Sequence, residues 1–246
     1  MISLITAIAG LAAALVAVFG IIFTARQFKA QRQDRKEDQE AVQAERKAAR
    51  DAVLSDRFAR AIGSLASDSP TTRIGALLEF DSLGNEMPGG NAKAMLILVP
   101  FIREGIEKST SISKTHSSLK RPSEDVRFAC AVASSLYIQR PQKYDLKHLN
   151  AKNLDLSDFE FQGADLTCAH FEGSCLSNTE FRNANLYLAT FFDSDHKAIL
   201  SSAKFKGAEN LHGSQILNAY QVEYAELDNN VRAEYEHLKD DAAKKL

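Results

Sequence analysis

Ala164-Asp165-Leu166-Thr167-Cys168-Ala169-His170-Phe171 contains the pattern that governs residues 144–192. Apolar residues recur there at every fifth position: Leu156, Phe161, Leu166, Phe171, Leu176, Phe181, Leu186 and Phe191. Two places earlier in each period the residue is small or apolar, as at Leu154, Phe159, Ala164, Ala169, Ser174, Thr179, Ala184 and Ala189, while the other three places are mostly polar. A period of five fits neither a helix nor a flat strand, and self-similarity at a fixed period signals a repeat architecture. The physical reading is a right-handed, quadrilateral β-solenoid in which each pentapeptide forms one side and four of them close one coil. Two residues of each side then point inward, and position i+20 lies above position i at the strand spacing. Phe161 would stack under Phe181, and Phe171 under Phe191.

The register slips after Phe191. Leu200 and Phe205 resume the pattern, but Leu200 comes nine residues after Phe191 rather than ten, so residues 192–197 read as a loop that breaks one side. The expected stack is short, about three coils or roughly 15 Å at the strand spacing. Cys168 and Cys175 fall on opposite faces of one coil, which excludes a shared metal or a disulfide within it. With Cys130 they make an odd count without a CxxC spacing, a pattern that suits reduced thiols.

Upstream, residues 2–25 carry no charged side chain. As a helix they would extend about 36 Å against roughly 30 Å of hydrocarbon, enough for a membrane span with some tilt. No basic segment precedes this run and no small-residue cleavage site follows it, which favours a retained anchor over a signal peptide. Arg26, Lys29, Arg32, Arg35 and Lys36 face a single acid, Asp34, and form a topology signal. They would leave the bulk of the chain in the cytoplasm of a bacterium, as a single-pass inner-membrane protein. Ala9, Gly10, Ala13, Ala14 and Ala17 have the small-xxx-small spacing that lets two such helices approach, hence a homo-oligomer as one expectation.

No Gly or Pro occurs between Gly20 and Gly63, and Ala, Gln, Glu, Lys and Arg dominate, so a solvated helical stalk is expected over residues 26–53. Short amphipathic helices follow over 54–140. One runs over 123–139, where Val126, Ala129, Cys130, Ala133, Leu136 and Tyr137 keep helical spacing and make Cys130 a core residue. A second runs over 71–83 with Gly84 as its C-cap, and a buried helix over 95–102 is kinked at Pro100. Residues 84–91 and 108–122 read as connections.

The run Asp56-Arg57-Phe58-Ala59-Arg60-Ala61-Ile62-Gly63, then Thr72-Arg73-Ile74-Gly75, Phe101-Ile102-Arg103-Glu104 and Asp125-Val126-Arg127, together with the repeats, resembles membrane-anchored bacterial proteins of the pentapeptide-repeat family. That resemblance implies a HEAT-like helical module covering the first coil. Bulky Leu149, Leu154 and Phe159 suit such a cover, because a solenoid end needs an apolar lid. It also implies an exit near Gly207-Ala208-Glu209-Asn210-Leu211 into a helical cap. The expected fold class is therefore α+β: transmembrane helix 1–25, stalk 26–53, helical module 54–140, solenoid 144–212 and helical cap with tail 213–246.

Net charge is −2, which argues against a nucleic-acid partner. No Walker loop, GxSxG, HExxH or GxGxxG occurs, so no enzyme and no cofactor are expected. Asp193, Asp195 and His196 share one loop, but a polar turn accounts for them without a metal. Glu160 and Glu180 lie one coil apart and mark a candidate partner face, since like charges held close are mildly costly. The expected function is a membrane-anchored, non-catalytic scaffold that presents the repeats to an unidentified protein. Two alternatives are a membrane effector, in phage defence or toxicity, whose anchors oligomerise to perturb the bilayer, and an acidic DNA mimic. Lys147, Lys152, Arg182, Lys197, Lys204 and Lys206 speak against the mimic because they nearly balance the acids.

Overall fold

A computed structural model describes residues 2–113, 119–139 and 142–244; side chains 2–18, 21, 22, 25, 30, 34 and 111–113 lie outside the description. The chain divides into two compact units, residues 1–53 and 54–246. In the first, helix α1 (Ile2–Leu65) begins and runs without interruption through the charged stretch, and every described side chain from Phe19 to Val53 is exposed. The expected membrane span corrects here. Most of its side chains, including the small residues at 9–17, lie outside those described. Among the described residues no helix is long and apolar enough to cross a membrane. The described part of α1 is instead exposed throughout and densely charged from Arg26 onward, the make-up of a solvated helix. The transmembrane helix, the single-pass inner-membrane location and the topology role of Arg26, Lys29, Arg32, Arg35 and Lys36 are withdrawn with it.

The second unit opens with the end of α1, which buries Leu54, Ala61 and Leu65. Helix α2 (Pro70–Glu86) starts with Pro in its first turn and Ser69 as N-cap, whose hydroxyl accepts from the Thr72 N–H at 3.4 Å. Helix α3 (Gly90–Ser113) continues through Pro100, and α4 (Glu124–Gln139) places two acids in its first turn, where the helix dipole favours them. Gly84 is not the C-cap expected from sequence: α2 runs through it and ends at Met87. A Cβ on Gly84 would sit 2.4 Å from Leu136 Cδ2, so glycine is needed for the close approach of α4. The 95–102 stretch is only partly buried, since Leu98 and Ile102 face the core while Leu96 points out at 75% exposure.

In the repeats, the residue just before each inward Leu or Phe is the midpoint of a side, and midpoints pair across coils in parallel with an offset of 20 residues. Asn150 pairs with His170, Asp155 with Cys175, Glu160 with Glu180 and Asp165 with Asn185. Each side ends in a tight turn in which an N–H returns to a carbonyl three residues back, as Ala169 to Leu166 at 3.0 Å and Ala184 to Phe181 at 3.0 Å. The turn's third residue takes positive φ at His148, Asn153, Asp158, Gly163, Cys168, Gly173, Asn178, Asn183, Leu188, Ser202 and Gly207. The expected β-solenoid sheet corrects as well. The one sheet described is β1 (Tyr144–Asp145) beside β2 (Ala164–Asp165), and elsewhere the coils meet through isolated single-residue bridges. With a turn every five residues, a side has too few extended residues for a continuous strand.

Leu156, Phe161, Leu166, Phe171, Leu176, Phe181, Leu186 and Phe191 are all fully buried. Phe161 stacks on Phe181 with centroids 5.7 Å apart, Phe171 on Phe191 at 5.5 Å, and Phe181 on Phe205 at 5.0 Å. Residues 192–197 fold into a small hairpin, with Phe192 bridged to Lys197 and the Asp193 N–H on His196 O at 2.9 Å. Beyond it the pairing offset becomes 24 residues, as Cys175 with Ile199, Glu180 with Lys204 and Asn185 with Glu209. The insertion is absorbed at one corner and the stack resumes. Pairing continues past residue 212: after the short helix α5 (Gly213–Ile216), Tyr220 pairs with Ile199 and Glu226 with Lys204 before α6 (Asn229–Lys244) buries Val231 and Tyr235.

Candidate functional site: the outward columns of the repeat stack

Because midpoints repeat on the same side of each coil, outward side chains form four columns. They are Asp145, Asp165, Asn185 and Glu209; Asn150, His170 and Thr190; Asp155, Cys175, Ile199 and Tyr220; and Glu160, Glu180, Lys204 and Glu226. The first column is knitted together by side chains. Asp165 Oδ1 accepts from the Thr167 N–H and from Asn185 Nδ2 at 3.1 Å, and Asn185 Oδ1 accepts from Asn210 Nδ2 at 2.8 Å. Burial alone would raise the Asp165 carboxyl, but the bonds from Thr167 and the nearby Lys147 ammonium bring it below the ordinary carboxylate range.

Glu160 and Glu180, the acids singled out in the sequence, are adjacent on the fourth column. They do not make an uncompensated acidic face. Glu180 pairs with Arg182 at 3.2 Å and Lys204 at 3.7 Å, and its side chain is mostly covered, whereas Glu160 is exposed. The DNA-mimic alternative loses its footing on that column.

Sequence missed a polar cluster at the corner below the hairpin. Glu172 occupies an outward position yet is only 4% exposed. Its Oε1 accepts from Thr190 Oγ1 at 2.8 Å and pairs with Lys152 at 3.2 Å, and His170 Nδ1 lies 3.3 Å away. Side chains from the coils before and after close over it, a tertiary burial that a five-residue period does not encode. The Asp193/His196 loop forms a turn: Asp193 Oδ1 accepts from the Asp195 N–H at 2.9 Å and the His196 N–H at 2.7 Å, and these bonds hold its carboxyl below the ordinary carboxylate range. Among the described residues no His, Cys, Asp or Glu group is arranged to hold a metal. Cys130 is fully buried and its thiol is pushed up by burial, so it is held as the neutral thiol of a packing residue. Cys168 and Cys175 are free thiols, Cys175 lying between Ser157 and Ser177 hydroxyls at 3.1 and 3.2 Å.

At the end of the stack nearest the helices, each side of the first coil makes one hydrogen bond or more to the helical part. Arg103 donates to Asp145 O at 3.4 Å, Thr110 Oγ1 to Asn150 O at 3.0 Å and Ser134 Oγ to Glu160 O at 3.2 Å, while the Asp155 N–H donates to Lys120 O at 2.9 Å. Arg121 adds a bond to Ser157 O at 3.0 Å and an ion pair with Asp155 at 3.3 Å.

Comparison with known sequences places this geometry. Residues 145–183 and 164–195 match the family described as pentapeptide repeats, in eight copies. No curated protein matches the chain. Two solved structures are similar to part of it. QnrB1, a plasmid-mediated fluoroquinolone resistance protein, aligns at 19% identity and a TM-score of 0.19 over 41% of each chain. Rfr23, a pentapeptide repeat protein from the cyanobacterium Cyanothece 51142, aligns at 23% identity and a TM-score of 0.14, over 41% of this chain and 71% of that one. The match thus spans about two fifths of the QnrB1 chain.

Proposed function

We propose that this pentapeptide-repeat chain is a non-catalytic interaction module whose repeat stack presents outward columns to a protein partner. The supporting observation is the interlocked first column, where Asp165, Thr167, Asn185 and Asn210 hold one another across coils. A surface locked in this way loses little side-chain entropy on binding, which favours recognition by a rigid face. Glu160, exposed beside Glu180, is the candidate contact on the neighbouring column. The membrane-effector alternative required a spanning helix and is not carried forward.

The test is site-specific photo-crosslinking in the native host, with the photoreactive residue placed at 160, 187 or, as a control on the helices, 78. One discrete adduct confined to the repeat positions is the expected outcome. Labelling that is equal at position 78 would overturn the assignment to the stack.

A further inference from the structure

Within the stack, each midpoint N–H donates toward the preceding coil: His170 to Leu149 O, Cys175 to Leu154 O, Glu180 to Phe159 O and Asn185 to Ala164 O, all at 2.9 Å. The first coil has no coil beneath it, so its midpoints are open edges. At Asp155 the chain fills that edge itself, with Lys120 as a parallel one-residue strand. At Asp145 it does not. Leu146 is the residue that donates to Asp165 O, so the Asp145 N–H points away from β2, and among the described residues no acceptor takes it. Arg103 reaches only the carbonyl, at 3.4 Å.

This open edge borders a cleft of about 480 Å³ between α3 and residues 142–145, with walls from Met95, Leu96, Val99 and Leu136. Leu96 stands 75% exposed there. Pro100, on the same wall, has no N–H to return to the Leu96 carbonyl, which leaves a backbone acceptor at the cleft. An apolar trough, a free strand edge and a helical carbonyl that Pro100 cannot bond thus converge on one place.

We propose that this groove binds an extended peptide segment, which adds in parallel to β1 at Asp145 and inserts one apolar side chain between Leu96, Val99 and Leu136. The parallel direction follows from every ladder in the stack and from Lys120, which already occupies the equivalent edge in this manner. Main-chain bonds would supply affinity and the alternate side chain specificity. The groove takes the backbone edge of Asp145 at the foot of the first column and none of the interlocked side chains of Asp165, Thr167, Asn185 and Asn210, so this assignment stands whichever column binds.

The test uses the full chain and fluorescent heptapeptides, acetylated and amidated, with Leu, Met, Val or Phe at the centre of a Ser/Thr sequence, read by fluorescence anisotropy. At least one apolar centre should bind. N-methylation of the flanking amides should weaken it about tenfold or more, as should Leu96→Glu, a change at an exposed position that leaves the fold intact. Leu78→Glu, on an exposed face of α2, should have no effect. Absence of binding by all four centres, insensitivity to N-methylation, or equal loss in both variants overturns the proposal. So does self-association of the chain that Leu96→Glu abolishes, because the occupant would then be a second copy.

Discussion

Leu188 is 59% exposed and holds φ at +56°, in a corner position that Asn occupies at 153, 178 and 183 and Gly at 163, 173 and 207. A branched aliphatic gains no burial there and pays for a left-handed backbone. Leu188→Asn should therefore stabilise the chain by about 0.5–1 kcal/mol, read as a higher urea midpoint at unchanged slope; a lower midpoint would show that the side chain has packing that its exposure conceals. The opposite case is Phe171, sandwiched between Phe161, Phe181 and Phe191. Phe171→Asp removes a ring worth about 3–5 kcal/mol and buries a charge, so the second unit should not fold. Tyr187→Ala, at an outward exposed site, should stay within about 0.5 kcal/mol. Glu172 behaves as an inward residue despite its outward register. Glu172→Lys would set two cations against each other beside Thr190 and His170, at a cost on the order of 3 kcal/mol. If Glu172→Lys unfolds in urea like the parent chain, the cluster contributes nothing to stability.

Helices α2 and α4 are tied by Arg73 and the buried Asp125, whose Oδ2 accepts from Arg73 Nε while Arg73 Nη1 donates to Ser67 O at 2.7 Å. Burial would raise the Asp125 carboxyl, but the bonds from Arg73 and Ser123 outweigh it and set it below the ordinary range. A carboxyl depressed on folding contributes stability above its unfolded value of about 4 and loses it as pH falls through the lower folded value. Denaturation midpoints should thus drop between about pH 5 and 2, and Asp125→Asn should flatten that drop while lowering stability near neutrality by about 3–5 kcal/mol. An unchanged acid slope would assign it to Asp155 and Asp165, whose carboxyls are also depressed. At this scale sequence and structure part where tertiary contact overrides local signals. The Leu/Phe period was readable because every fifth residue meets its equivalent 20 residues on. Gly84 read as a helix end because its partner, Leu136, is 52 residues away, and Lys120 gave no strand signal because it pairs through one residue.

In the second unit, the helices and the repeats share one continuous hydrophobic core, running from Ala61 and Leu77 through Cys130 and Leu149 to Phe205 and Tyr235. The edge-capping bonds reinforce that continuity. Arg103, Thr110, Lys120 and Ser134 come from three different places in the helical part and meet all four sides of the first coil. A buried carbonyl left without its donor costs about 1–3 kcal/mol, so removing the helices exposes apolar surface and orphans several acceptors together. Gly163 shows the closeness of fit, since a Cβ there would lie 2.3 Å from the ring of Tyr137 on α4. A fragment beginning at Lys143 should therefore aggregate or bind hydrophobic dyes. One beginning at Val53, next to the boundary of the second unit, should remain soluble and unfold in a single transition seen alike by far-UV circular dichroism for the helices and by near-UV signals from the Phe and Tyr residues of the repeats. If the shorter fragment is monomeric and melts at the same temperature as the longer one, the capping bonds carry no stability and the repeats are a domain in their own right.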